Sequence, residues 1–348
     1  MELSNATPAM ARFTVAPVPG YRDRVGMLVV KATWRVGPGG VPELDGQKPH
    51  PLHAEDTPTP LGLLPRDDLP RIDPAFEVML LGQAHAPGGR PVPSMTVSLE
   101  VGSARRSLQV TGDRRWERGV FGARITDPAP FVSLPLTWDR AFGGKAAVEI
   151  DRESFVDACD VRNPAGRGWD AAAEAEALGK ALKCPKGYPR FEPTRLLPNL
   201  EDPAQLVRTW KDAPDPACWA PVPVTSSLHG LRVAVEPGKP VAGPGLFHRA
   251  HPCWVLPAPP PGGAVLALSG ATSAGPWRFS LPRLRPELDL TAAGKQQTIA
   301  AVPQMLVLLP EESGFTITFR ATVALPPPDG TPRMARLRLE QGWSEPCR

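Results

Sequence analysis

The cluster with metal-ligand chemistry is His248-x-x-His251-x-Cys253. Imidazole and thiolate together suit zinc, and three protein ligands plus a water would make a catalytic centre. Pro252 turns the chain away from the regular helix that would align both imidazoles, and no fourth ligand is evident. A loop with two ordinary histidines is favoured over zinc, so no metal and no cofactor is assigned. The second set of candidates is charged: Asp113, Arg114, Asp139, Arg140, Arg162, Arg167, Glu201 and Asp202. In the sharper reading the carboxylates around Asp139 and Glu201 are the acid and base of a hydrolase, and the arginines bind an anionic substrate. In the plainer one they are arginine–carboxylate pairs that tie irregular loops together. The plainer reading is preferred, because the runs that carry them hold no histidine, cysteine or serine to act as nucleophile or proton shuttle.

Other catalytic signatures are missing. Gly143-Gly144-Lys145 lacks the spacing and the hydroxyl of a phosphate loop. Gly270 to Gly275 has the wrong spacing for a nucleophile elbow. The charged candidates fall instead in three runs dense in Gly, Pro, Asn and Trp: Pro135 to Gly144, Arg162 to Trp169, and Leu197 to Pro203. In these, Phe142-Gly143-Gly144 allows positive φ or close approach of another segment. Asn163-Pro164 and Pro198-Asn199 mark turns. Gly166 and Gly168 complete the second run, and Asp113-Arg114-x-Trp116 is a fourth, shorter piece of the same character.

The elements that must position these runs are β-patterned. Val25 to Val36 is rich in β-branched and aromatic residues and ends at Gly-Pro-Gly-Gly, a strand and a turn. Ala75 to Ala86 is a second such unit. Met95 to Val101 with Ser107 to Thr111, and Gln304 to Leu309 with Phe315 to Leu325, predict hairpins. Pro38 to Arg71 reads as a long surface loop. Asp170 to Cys184 predicts a helix with an Asp cap, and Ala204 to Trp210 a short one started by Pro203. The fold expected is mainly β, with β-sandwich-like sheets, long loops and one or two short helices in a central motif-rich insert. It divides as an N-terminal β-rich half (1–136), a central segment (137–230) and a C-terminal β-rich half (231–348), with one continuous domain as the alternative.

Bulk composition narrows the function classes. Proline is 46 of 348 residues, about 13 %, against roughly 5 % on average, as suits a strand-and-loop protein. A net charge of +3 with scattered Arg and Lys does not argue for nucleic acid. Five widely spaced cysteines without a C-x-x-C pair fit reduced thiols. No secretory signal is visible in MELSNATPAMARF and no apolar run spans a bilayer, so the expectation is a cytoplasmic protein without membrane contact.

On these residues the chain resembles the bacterial family called domain of unknown function 2169 (DUF2169). The resemblance is carried by Leu3-Ser-Asn-Ala-Thr-Pro8, Val29-Val-Lys-Ala-Thr-Trp34, Gly82-Gln-Ala-His-Ala-Pro87 and Val110-Thr-Gly-Asp-Arg-Arg-Trp116. It is tightest over Trp138-Asp-Arg-Ala-Phe-Gly-Gly144, Arg162-Asn-Pro-Ala-Gly-Arg-Gly168 and Leu197-Pro-Asn-Leu-Glu-Asp-Pro203. It implies a type VI secretion accessory protein: an adaptor or chaperone that holds an effector, often linked to a PAAR tip domain, and helps load it on the VgrG spike. No catalytic residue comes with it. The match weakens after Pro203, where Ala217 to Pro223 replaces the family's pattern, so partner choice is placed there. Trp210, Trp219, Trp254 and Trp343, outside the best-matched motifs, are the candidate partner contacts. A carbohydrate-binding β-sandwich is a further alternative and requires exposed coplanar aromatics on one face.

Overall fold

Arg24–Val36 is the axis of the molecule. In the computed structural model it pairs antiparallel with Met10–Pro17 on one side and with Gly314–Leu325 on the other. The structure describes residues 2–17, 24–37, 40–67, 75–119, 122–151, 154–170, 195–223, 248–326 and 333–341. Beyond Gly314–Leu325 the sheet continues with Val302–Leu309, then Phe76–Leu80 in parallel, then Val255–Leu256. Pro42–Leu44 pairs with the end of the axial strand and completes seven strands. Strands from the two ends of the chain are thus direct neighbours in one sheet.

A five-stranded sheet has the order Leu200–Glu201, Ala104–Thr111, Ser94–Val101, Val265–Ser269, Trp277–Ser280. A four-stranded sheet joins Leu3–Asn5 in parallel to Met334–Gln341, followed by Leu284–Ala292 and Lys295–Ala300. The protein is mainly β, and both predicted hairpins form, as Ser94–Val101 with Ala104–Thr111 and Val302–Leu309 with Gly314–Leu325.

The period-two alternation of these strands sorts their side chains onto two faces. One face of the large sheet carries Leu28, Val30, Ala32 and Trp34 beside Phe315, Ile317 and Phe319, all in the main core with Val97, Leu99, Leu266 and Leu268 of the five-stranded sheet. Trp34 stacks on Phe315, and Phe315 on Phe279, each at 5.3 Å between centroids, so one aromatic column crosses from sheet to sheet.

Two expectations change. Residues 204–210 make turns, not a helix: Asp202 receives the Ala204 N–H at 2.8 Å, and the Asp212 carboxylate takes the N–H groups of Arg208 and Thr209, closing local turns that compete with a helix. The region 38–71 is no plain surface loop either. Within its described part, Thr57–Thr59 and Gly62–Leu64 form a hairpin, and Asp67 ends 1 % exposed beneath the chain. The predicted helix at 170–184 falls almost wholly outside the described residues.

Candidate functional site

The motif runs converge. Phe142–Gly143 pairs in parallel with Arg167–Gly168, Ala141 bridges to Leu200, and Arg115 bridges to Leu196. Trp138–Arg140 is a single 3-10 turn that aims Asp139 and Arg140 to one side and buries Trp138. Its indole Nε1 donates to the carbonyls of Ala220 (3.1 Å) and Pro221 (2.9 Å).

Two asparagines hold the knot. Asn199 is fully buried; its amide donates to Thr111 O (2.9 Å) and Asp113 Oδ1 (3.0 Å), and its Oδ1 accepts from Arg140 (3.2 Å) and Arg167 (3.1 Å). Asn163 donates to Trp138 O (2.8 Å) and Phe142 O (2.9 Å), while its own carbonyl receives the N–H groups of Gly144 and Gly166. Pro164 follows as the turn residue, and the Pro198 carbonyl accepts from Arg114 at 3.0 Å. Gly143 has φ +138°, and a Cβ there would strike the Asn163 carbonyl. The glycines are therefore what allows the second run to lie on the first.

The charges in the knot are paired. Arg114 grips buried Glu201, whose other oxygen receives the Val207 N–H at 2.8 Å. Burial pushes the Glu201 carboxyl above its usual value, against the opposing pull of Arg114. Arg167 lies 3.4 Å from Asp139 and 3.6 Å from Asp113, and Arg140 3.8 Å from Asp113. Burial lowers the Arg167 guanidinium, with Arg140 beside it. Arg162 meets Asp160 at 2.8 Å and Asp215 at 3.0 Å and lies over the Phe142 ring. Trp116, Phe142, Trp169, Leu197 and Val207 form a separate apolar cluster beneath, with Trp210 packed on it. Both oxygens of Glu201 are engaged and Asp139 faces Arg167 at the surface, so the pair does not present a free acid and a free base to one cleft.

Of the proposed partner contacts, Trp219 and Trp254 are corrected. They are 3 % and 0 % exposed and meet edge to face at 5.5 Å inside the core, where neither offers its ring to a partner. The segment 217–222 is buried because it threads between the knot and the large sheet: Leu80 donates to Trp219 O, and Cys218 Sγ to Leu136 O. Trp210 is half-buried with Lys211 over its ring at 5.2 Å. Trp343 lies outside the described residues. No aromatic is among the exposed large apolar side chains of the described residues, so the coplanar aromatics of a carbohydrate site are not found there.

The histidine–cysteine run builds a turn. His251 Nδ1 accepts the Cys253 N–H at 3.2 Å and lies 2.9 Å from its Sγ, while Nε2 sits 2.9 Å from Pro216 O. Both nitrogens are occupied, and burial lowers the imidazole pKa, which keeps the ring neutral. Burial pushes the Cys253 and Cys218 thiols up to about 12. Among the described residues no group of three or more His, Cys, Asp or Glu is placed to hold a metal ion.

A second polar cluster escapes sequence reading. On the face of the large sheet opposite the core, Lys31 and Asp67 pair at 2.6 Å, both nearly inaccessible. Asp67 also accepts from Thr318 Oγ1 (3.0 Å) and the His53 N–H (2.8 Å), and its carbonyl receives Arg320. Lys31 donates to Pro51 O at 3.0 Å. Burial lowers Lys31 despite Asp67, and burial together with Lys31 lowers His53. Nearby in the same sheet, fully buried Glu77 accepts the N–H groups of Arg249 and Ala250, and Arg249 reaches both Asp56 oxygens at 2.7 Å. The one available signal was parity: Lys31 and Thr33 alternate with Val30 and Ala32 in an otherwise apolar strand.

These observations define a multi-sheet β protein fastened by an asparagine–arginine knot of short glycine-rich motifs. The chain belongs to the family described as an uncharacterized protein conserved in bacteria, DUF2169, whose model matches residues 22–320. No curated protein and no solved structure matches it.

Proposed function

We propose that this chain is a cytoplasmic, non-catalytic adaptor or chaperone of a type VI secretion system. It binds a secreted effector, often linked to a PAAR domain, and assists its loading on the VgrG spike. The observation that carries the reading is the edge of the large sheet. Met10–Pro17 is eight residues long, runs without a bulge, and pairs with Arg24–Val36 on one side only among the described residues. Met10 and Val15 on it are each 37 % exposed. Natural edges are normally shortened, bulged or charged, and a long regular one, here with the single charge of Arg12, is a template for an added strand from another chain. The engaged carboxylates of the knot support binding over hydrolysis. No helix of the described residues is long and apolar enough to cross a membrane.

Co-purification with the product of a neighbouring effector gene tests the proposal. The expected result is a stable complex that Val15→Lys, placed to charge the edge, weakens. A deletion strain with stable effector and normal secretion would overturn it.

A further inference from the structure

The outward face of the five-stranded sheet carries a groove of about 280 Å³ lined by Ser98, Glu100, Arg105, Ala267, Ser269 and Arg278. Strand register explains its shape. Arg105 faces Glu100, Glu100 faces Ala267, and Ala267 faces Arg278, so four adjacent strands contribute one rung. The methyl of Ala267 between two long side chains leaves the depression. The next rung supplies Ser98 and Ser269, whose hydroxyls are hydrogen-bonded at 2.6 Å. Leu99, Leu268 and Trp277 alternate inward and are buried, which makes the floor part of the core.

The charges of this rung differ from those of the knot. Arg105, Arg278 and Glu100 form no ion pair among the described residues, although Arg105 and Glu100 are cross-strand neighbours. Two guanidiniums against one carboxylate leave the rung net positive, and a guanidinium fork matches a carboxylate in geometry. The strand Trp277–Ser280 is the last in its sheet among the described residues, and Gly40 approaches the Arg278 carbonyl. A chain laid across the outward face, rather than added at that edge, would set alternate side chains over Arg278.

We propose that this groove receives an acidic side chain, Asp or Glu, of an extended segment of the protein partner. The inference rests on the binding-protein reading above and names a recognition chemistry for it. The hydroxyl pair and the Ala267 floor admit a carboxylate, and the guanidiniums of Arg105 and Arg278 outweigh Glu100, the one acidic group of the lining.

The test uses the full chain and a fluorescein-labelled decapeptide of alternating Glu and Thr, with Gln replacing Glu in its control. Anisotropy should show the Glu peptide binding at least about tenfold tighter than the control, the scale of one charge-assisted pair. Arg105→Gln with Arg278→Gln should remove that difference, and Ala267→Trp should block binding with both arginines intact. All three positions face outward, and an unchanged melting temperature verifies the fold of each variant. Equal binding of the two peptides, or Glu-peptide binding that survives loss of both arginines, would overturn the groove assignment. Binding of free glutamate without the peptide would also overturn it, since the ligand would then be a small anion. If the peptide fails while an effector still co-purifies, the groove assignment falls and the adaptor reading stands. If the peptide binds through the arginines but no effector co-purifies, the adaptor reading falls alone.

Discussion

The knot and the polar face of the large sheet use the same ingredients, arginine or lysine against carboxylate, and put them in opposite surroundings. In the knot Asp113 and Asp139 are 52 % and 57 % exposed, so water screens their ion pairs and the buried asparagines carry the geometry, with the Arg114–Glu201 pair as a buried exception. On the sheet face Lys31 and Asp67 are 4 % and 1 % exposed, so losing one partner leaves the other's charge buried. Charge density in a motif is therefore a poor guide to where charge matters for stability. The charged runs set backbone shape; the isolated Lys31 in an apolar strand carries the larger electrostatic stake.

The largest effect is expected at Asp67. Asp67→Asn should cost about 3–5 kcal/mol in urea unfolding, because it strands a buried ammonium. Adding Lys31→Met should recover part of that loss. A cost like that of a surface pair would mean water reaches the face. Next in size is Gly143→Ala, which drives a methyl into the Asn163 carbonyl at φ +138° and should cost about 1–3 kcal/mol. A neutral result would show that the second run can lift off the first.

A smaller effect is expected from pH. Glu201 is raised above its ordinary 4.5 by burial, so the folded state favours its protonated form. Its contribution is fully present below that ordinary value and is lost as pH rises through the raised one. Wild type should therefore lose stability relative to Glu201→Gln as pH climbs from about 4.5 toward neutrality. A flat difference, followed by chemical unfolding across that range, would show that Arg114 cancels burial. The smallest change belongs to Asp113→Ala, expected below about 1 kcal/mol despite its place in the knot. If it matched Asp67→Asn, the two regions would be alike and the contrast would fail.

Much of the strand layout was legible. Val25 to Val36 and the Gln304–Leu325 hairpin announce themselves by β-branched content and turn residues, and the structure pairs them with each other. The knot residues were also legible as a set, since Gly, Pro and Asn cluster in short runs. Less could be read at Trp219 and Trp254: indoles serve cores and surfaces equally well, and only packing decided that these two lie inside. The stretch 204–210 misled because Pro203 resembles a helix start, while Asp202 and Asp212 close turns instead. The region 38–71 misled because a Pro/Asp-rich composition says nothing about what lies beneath it.

By itself the sequence determined the β class, the hairpins and the family, because alternation, turn chemistry and contiguous motifs are local properties of the chain. Only the tertiary structure decided that Lys31, Asp67 and Arg320 meet, that Asn199 joins two arginines to Asp113, and that Arg105 and Arg278 flank one groove. Those juxtapositions depend on sheet order and register, which connect residues far apart in the chain. Burial, which sets the weight of each charge, exists only once the sheets have closed on one another.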